Sequence, residues 1–451
     1  MALLEFVSDP ANAEAGGGLV RLCTEFVAKF EAKINQLRFV QILCSAGKTC
    51  SGIVRTRYHT ISALVEGVFF FVCTPVFHST TFLFGDKTYD AFFEGVTRDV
   101  PIYTRYGNPT QWSVQEKVAA LENAESAVVF SSGMAAIATT IFALMNKGGH
   151  IISSYDVYGG TYNLLREDLH QAGREVSFVD PTNLEEVESA IKPNTQMFLF
   201  EGLSNPLLKG LPLQSICAIA KKYDILVVID NTFLSPVALK PLEHGADVVI
   251  HSATKYLNGH SDMTAGVAAG SRKFMDRIWA QMLRFGGQLD PNSCFLLERG
   301  MKTLALRMQA HSENANTIAT ALNNHPAIEK VYHPSLADYE CSELKQLCRG
   351  NYGGVVSFEV RGGDDAALRF LENLKIPQVA TSLGGIESLV SMPFNTSHSS
   401  LNDYQRELIG IRPGLVRLSV GVEDVSDLIA DLDQALTGIK LEKSEKIEAL
   451  A

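Results

Sequence analysis

Between roughly residues 108 and 300 the chain repeats one pattern, a short apolar run followed by a longer stretch with apolar residues at helical spacing. The runs at 126–130, 150–152, 196–200, 225–229 and 248–250 are bounded by polar or glycine residues and predict buried strands. A helical run through Ala135, Ala136, Ile137 and Ala138 follows the first of them. Strands spaced by amphipathic segments predict a mostly parallel central sheet with helices on both faces. After about Met301 the rhythm changes. Long helical stretches precede apolar runs at 353–360 and 416–420, which suit a smaller C-terminal α+β domain. The stretch before residue 75 has weak periodicity and a break at Gly16-Gly17-Gly18, and the charged tail from Lys440 predicts a frayed end.

Candidate chemistry sharpens this picture at two strand ends. The run 246–250 leads into His251-Ser252-Ala253-Thr254-Lys255-Tyr256. Open α/β sheets bind ligands at the carboxyl ends of their strands. An amine desolvated there loses basicity and becomes a nucleophile, and the flanking hydroxyls of Ser252 and Thr254 can bind a phosphate. The run 225–229 ends in Asp230, where a carboxylate can hold a protonated ring nitrogen. Taken singly, such a lysine is ordinarily a solvated loop residue and such an aspartate a helix N-cap. Together they form the minimal kit for a pyridoxal phosphate site, with Lys255 as the Schiff base and Asp230 as the pyridinium partner.

The stretch from Ser252 to Asp262, Ser-Ala-Thr-Lys-Tyr-Leu-Asn-Gly-His-Ser-Asp, resembles the lysine signature of the Cys/Met metabolism family of pyridoxal phosphate enzymes. That family includes cystathionine γ-synthase, cystathionine γ-lyase, methionine γ-lyase and O-acetylhomoserine sulfhydrylase. The resemblance starts at Pro75 and runs almost to the C-terminus. It implies the aminotransferase-like fold, type I among pyridoxal phosphate enzymes, and carries several residues over. Gly133 and Met134, in Ser131-Ser132-Gly133-Met134, would bind the cofactor phosphate with Ser252 and Thr254; a helix N-terminus suits an anion, although by itself the turn reads as an ordinary capped helix. Tyr158 would stack on the pyridine ring and carry a proton to or from the leaving group. Tyr103 and Arg105, in Tyr103-Thr104-Arg105-Tyr106-Gly107-Asn108-Pro109, would reach a neighbouring subunit's phosphate. Arg417 would clamp the substrate carboxylate, with Asn205 and Ser382 supporting; an arginine in an apolar strand is costly unless an anion pairs with it.

Three departures bear on the substrate. The cysteine that bacterial-type methionine γ-lyases carry two places after the stacking tyrosine is Gly160 here, and the glutamate that animal-type cystathionine γ-lyases carry before the Ser-Leu-Gly motif is Thr381. The loop Thr161-Tyr162-Asn163-Leu164 looks more like the sulfhydrylase version, whereas Gly259-His260-Ser261-Asp262 looks more like the cystathionine enzymes. The balance favours γ-replacement on an activated homoserine ester, with γ- or β-elimination from cystathionine or methionine as the alternative. A non-catalytic scaffold is more remote, because it predicts loss of Lys255 or Asp230. A dehydrogenase would need a Gly-x-Gly-x-x-Gly turn after an early strand, and no convincing one is found.

Composition removes other classes. With 451 residues, 46% of them hydrophobic, the chain can bury a core of more than one domain. A net charge of −11 without a basic stripe argues against nucleic acid. The 8 cysteines show no CxxC pairing, so reduced thiols are expected, and neither a metal site nor a disulfide framework. No apolar run reaches the ~20 residues that span a bilayer. Val68 to Cys73, the longest candidate, reads as a buried strand or a sticky arm. Gly47-Lys48-Thr49 imitates a phosphate loop, but Ile42 stands where its first glycine should be. The expected organisation is a divergent extension at 1–74, an arm at 75–107, a large cofactor-binding domain at 108–305, a small domain at 306–440 and a tail at 441–451. The expected setting is cytoplasmic, as a homo-oligomer (a dimer of dimers) with shared sites and an amino-acid substrate.

Overall fold

The computed structural model describes residues 72–393, 406 and 409–437. The glycine break, the phosphate-loop imitation, the apolar run 68–71 and the tail from Lys440 lie outside the described residues.

Seven strands form the larger sheet: β1 (Ser126–Phe130), β2 (His150–Ser154), β3 (Glu175–Val179), β4 (Thr195–Glu201), β5 (Leu226–Asp230), β6 (Val248–Ser252) and β7 (Gly266–Gly270). Their order is β1-β7-β6-β5-β4-β2-β3. The pairs from β6 through β5, β4 and β2 to β3 are parallel, and β7 runs antiparallel to both β1 and β6. Each of the five apolar runs between residues 126 and 250 becomes a strand here. The runs missed β3, an edge strand with a charged first residue, and β7, Gly-Val-Ala-Ala-Gly, which has almost no β-branched content. The small residues of β7 have a steric reason. A Cβ at Gly266 would lie 2.1 Å from the Ser132 carbonyl oxygen, and one at Gly270 2.6 Å from that of Asp247.

Alternation along these strands decides which residues meet. Val128, Phe130, Ile151, Met197, Leu199, Val228, Val248 and Ile250 pack on one face with the helices Gly133–Leu144 and Arg272–Phe285. Val129, Ile152, Phe198, Phe200, Val227, Ile229 and Val249 pack on the other with the helices Pro109–Leu121, Leu213–Lys222 and Pro291–Met301. Side chains two apart share a face. Continuing the first phase past each core brings Glu201, Asp230 and Ser252 to the same face, at the carboxyl ends of three adjacent parallel strands. Glu201 pairs in register with Asp230.

A second sheet has the order β10-β11-β12-β9-β8, from β8 (Ile328–Tyr332), β9 (Val355–Val360), β10 (Gln378–Val379), β11 (Leu389–Ser391) and β12 (Leu415–Ser419). Val356, Phe358, Val390, Val416 and Leu418 pack with the helices Leu304–Asn323, Gly363–Asn373 and Val425–Thr437. The opposite phase is polar yet buried: Ser357, Glu359, Ser391, Arg417 and Ser419. A buried polar row needs partners; Tyr332 of β8 meets Glu359 and the Gly384 N–H meets Ser419 within this sheet and its loops, while Ser357 and Arg417 reach the loop after β4. Ser357 Oγ donates to the Pro206 carbonyl at 2.6 Å, and the buried Tyr256 hydroxyl accepts the Gly354 N–H at 2.8 Å.

Among the described residues no helix is long and apolar enough to cross a membrane. No group of three or more His, Cys, Asp or Glu there could hold a metal ion, and the five described cysteines are free thiols.

Candidate active site

Lys255 lies in the turn that leaves β6. The turn is folded on itself, with the Lys255 N–H on the Ser252 carbonyl at 3.1 Å and the Gly259 N–H on the Lys255 carbonyl at 2.8 Å. The lysine Nζ donates to Ser382 Oγ at 2.6 Å. Burial, and then the positive charge of Arg417, lower its pKa from the usual lysine range to about 8. The neutral, nucleophilic form of the amine is therefore a far larger fraction near neutrality than in a solvated lysine.

Arg417 projects from the polar face of β12 into the same place. It donates to Asn205 Oδ1 and to the Ser382 carbonyl, each at 3.1 Å, while its Nε is buried without a hydrogen bond. Burial lowers its pKa to about 10. The loop Thr381–Gly385 closes over the lysine backbone, since a Cβ at Gly384 would sit 2.8 Å from the Tyr256 nitrogen and 3.1 Å from the Lys255 carbonyl carbon. Ser382 holds a φ of 84°, an uncommon conformation for a residue with a side chain. Lys255, Asn205, Ser382 and Arg417 thus form one connected group.

Asp230 closes β5. It accepts from the Thr232 N–H at 3.0 Å and from the Thr232 hydroxyl, which in turn accepts the Ser252 N–H at 2.8 Å. Burial raises the pKa of Asp230 despite the Thr232 hydrogen bonds, with His251 nearby a smaller influence toward the charged form. Beside it, Glu201 Oε1 accepts the Tyr158 N–H at 2.7 Å, and Oε2 is buried without a hydrogen bond of normal geometry. Burial and then the charge of Asp230 push Glu201 well above the usual carboxylate range. Two buried carboxyls this close share their ionisation. The sequence reading missed Glu201, because a glutamate ending Gln-Met-Phe-Leu-Phe-Glu looks like an ordinary strand stop. Its phase with Met197 and Leu199 is the signal that would have found it.

Gly133 begins a helix capped by Ser132, whose side chain accepts the Ala135 N–H at 3.1 Å. A Cβ at Gly133 would lie 2.8 Å from Ser252 Cβ and 3.0 Å from its Oγ, so glycine keeps this helix N-terminus open beside the serine hydroxyl. Tyr158 is 45% exposed. Its ring and Met134 meet over Gly160, where a Cβ would be 2.6 Å from Tyr158 Cε1 and 3.1 Å from Met134 Sδ.

Three sequence-derived residues stand apart from these contacts. Thr254 spends its hydroxyl on Ala265, accepting the N–H at 2.9 Å and donating to the carbonyl at 3.2 Å. Tyr103 is 40% exposed, and its backbone bridges to Thr81. Arg105 donates to the Leu283 carbonyl at 3.1 Å and lies over the rings of Tyr103 and Tyr106, at 5.7 and 5.5 Å.

The residues present fit a phosphorylated pyridine aldehyde. A helix N-terminus and the Ser252 hydroxyl suit its phosphate, the Asp230–Glu201 pair suits a protonated ring nitrogen, and Lys255 offers an amine of lowered basicity.

Comparison with known proteins agrees. The family model described as "Cys/Met metabolism PLP-dependent enzyme" matches residues 64–437, beginning somewhat before Pro75. The chain is 40% identical over 392 residues to L-methionine gamma-lyase of Fusobacterium nucleatum subsp. nucleatum, covering 86% of this chain and 99% of the relative. It is 44% identical over 335 residues to cystathionine beta-lyase of Lactococcus lactis subsp. cremoris, covering 74% and 88%. Among solved structures, cystathionine gamma-lyase from Lactobacillus plantarum complexed with L-serine matches with a TM-score of 0.75 at 39% identity, covering 81% of this chain and 93% of that one.

Proposed function

The chain belongs to the Cys/Met metabolism family of pyridoxal phosphate enzymes, and from that premise we propose that it is a carbon–sulfur lyase, eliminating the γ- or β-substituent of a sulfur amino acid of the methionine or cystathionine class. The observation that carries this reading is the near full-length similarity to relatives that are lyases of these two kinds. It is better supported than the γ-replacement favoured by the sequence motifs, which rests on Gly160, Thr381 and the sulfhydrylase-like loop Thr161-Tyr162-Asn163-Leu164.

Pyridoxal phosphate, when bound, supplies an electron sink for negative charge developed at the substrate Cα. The chain's own residues do the rest. Arg417, buried and without a carboxylate among its hydrogen-bond partners, pairs with the substrate carboxylate, and Asn205 and Ser382 hold its fork in place. Lys255 Nζ would hold the cofactor at rest, and as a free amine would take the proton from the substrate Cα and return it further along the substrate's carbon chain. Ser382 Oγ, 2.6 Å away, keeps that amine in place. Asp230 balances the ring-nitrogen charge. Tyr158, at the partly open mouth, protonates the departing sulfur. Ser252, Gly133 and Met134 hold the phosphate from within the chain, with Thr254 orienting the turn. Tyr103 and Arg105, which contact none of these residues here, complete the phosphate site of a second copy, so the working enzyme is a homo-oligomer.

The test is a product screen. The cofactor-loaded protein is incubated with methionine, cystathionine and the acetyl, succinyl and phosphoryl esters of homoserine, with and without cysteine. A 2-oxo acid, ammonia and a thiol from methionine or cystathionine alone support the lyase. Turnover of an ester only when cysteine is present, with cystathionine accumulating, would overturn it in favour of replacement.

A further inference from the structure

Arg307 is a buried guanidinium whose hydrogen-bond partners are all neutral oxygens. From the helix Leu304–Asn323 its Nη1 donates to the Tyr256 carbonyl at 2.8 Å, its Nη2 to the Gly300 carbonyl at 2.9 Å and, more loosely, to the Leu257 carbonyl at 3.5 Å. Its Nε donates to Thr303 Oγ1 at 3.2 Å. Burial alone lowers its pKa to about 10. A buried cation without a counter-ion is expensive, so its retention needs a compensating role.

The surroundings show what it is placed against. Tyr256 and Leu257 immediately follow Lys255, in a turn that is neither helix nor strand, so carbonyls there need an outside donor. The turn is pressed onto the arginine closely. At Gly259 (φ +74°) a Cβ would lie 1.9 Å from Nη1, and at Gly300 one would lie 2.2 Å from the Asn258 carbonyl oxygen. One planar fork therefore ties the lysine turn to two helices at once.

We propose that Arg307 is the positioning residue for Lys255: its fork fixes the turn 253–259 against the helices Pro291–Met301 and Leu304–Asn323, and so sets where the lysine amine points. This rests on the proposed role of Lys255 but not on the choice between elimination and replacement.

The test compares the full-length protein with Arg307→Met, Arg307→Lys, Gly259→Ala and the Gly259→Ala/Arg307→Met pair. Hydrogen exchange of the cofactor-free chain reads the clamp directly. In Arg307→Met a peptide covering 253–262 should exchange on the order of tenfold faster or more, while a peptide over β5 keeps its wild-type protection. In the cofactor-loaded protein, the visible band of the lysine-bound cofactor should lose circular dichroism and titrate at a shifted pH, because the amine is no longer held in one orientation. Turnover should fall with the substrate KM changing little, and Arg307→Lys, with one point charge in place of a fork, should recover only part of the signal. Gly259→Ala drives a methyl into the guanidinium, so its defect should be smaller in the pair than the two single effects added. Wild-type exchange in 253–262 with unaltered dichroism in Arg307→Met would overturn the proposal. So would faster exchange spread evenly over the fold, or strict additivity in the pair. If Arg307→Met does not fold, the dichroism of Arg307→Lys decides, and a wild-type signal there overturns the proposal too.

Discussion

The turn that carries Lys255 and the segment Tyr103–Tyr106 both offer groups suited to a phosphorylated cofactor, yet they are held in opposite ways. The lysine turn is enclosed by this chain alone. Ser382 takes the amine, Arg307 takes the following carbonyls, and the Tyr256 hydroxyl takes the backbone N–H of Gly354, just before β9 of the second sheet. The other segment lies on the helix Arg272–Phe285, where Trp279 Nε1 donates to the Tyr106 carbonyl at 2.8 Å, and Tyr103 stays 40% exposed. Near it in sequence, Leu83, Phe84, Tyr89, Phe92, Phe93 and Val96 are all exposed apolar side chains. Apolar residues concentrated at a surface mark an interaction site. The contrast separates a half of the candidate site that this chain encloses by itself from a half that we propose a second copy completes.

The strongest way to break the enclosed half is Lys255→Ala. Turnover should fall on the order of 10³-fold or more, while pyridoxal phosphate remains bound without a covalent link, as reduction with borohydride and mass spectrometry would show. Retained turnover would remove the lysine from the chemistry. Asp230→Asn should cost on the order of 10²-fold and leave the fold intact, since an amide cannot balance a charged ring nitrogen. An unchanged nitrogen NMR shift of the bound cofactor in that variant would exclude Asp230 as its partner. A milder probe needs no substitution. Lys255 has a pKa lowered to about 8, so its neutral fraction grows as pH rises through that value. Covalent capture of pyridoxal phosphate by the cofactor-free chain should therefore speed up toward about pH 8 and level off beyond it. A rate still climbing toward the ordinary lysine range would show that the amine is not desolvated.

The enclosed half was the more legible in the sequence, for a physical reason. Asp230 ends an apolar strand and Lys255 lies in the turn just after one, and polar residues at those points announce themselves against the run before them. Arg417 announces itself in the same way, interrupting Leu-Val-Arg-Leu-Ser. Glu201 follows the same rule but is read only with the strand phases compared, since its partner Asp230 lies on the neighbouring strand. β7 was silent because close approach to Ser132 and Asp247 forced glycines where strand-forming residues would be expected. Arg307 was silent too. In Leu-Ala-Leu-Arg-Met it passes for a solvated helix residue, and only the carbonyls brought to it by the fold make it otherwise. The segment Tyr103–Tyr106 was legible only as a motif, because the phosphate contact proposed for it lies on a second copy.

The claim that two chains complete one site is tested most directly by mixing. Arg105→Ala and Lys255→Ala proteins, each inactive alone, are combined under conditions where subunits demonstrably exchange, and turnover is followed. In a mixed pair one site carries both substitutions and the other neither, so activity should return to a substantial fraction of wild type. Complete exchange with no recovery would contradict the account and place the whole phosphate site within a single chain.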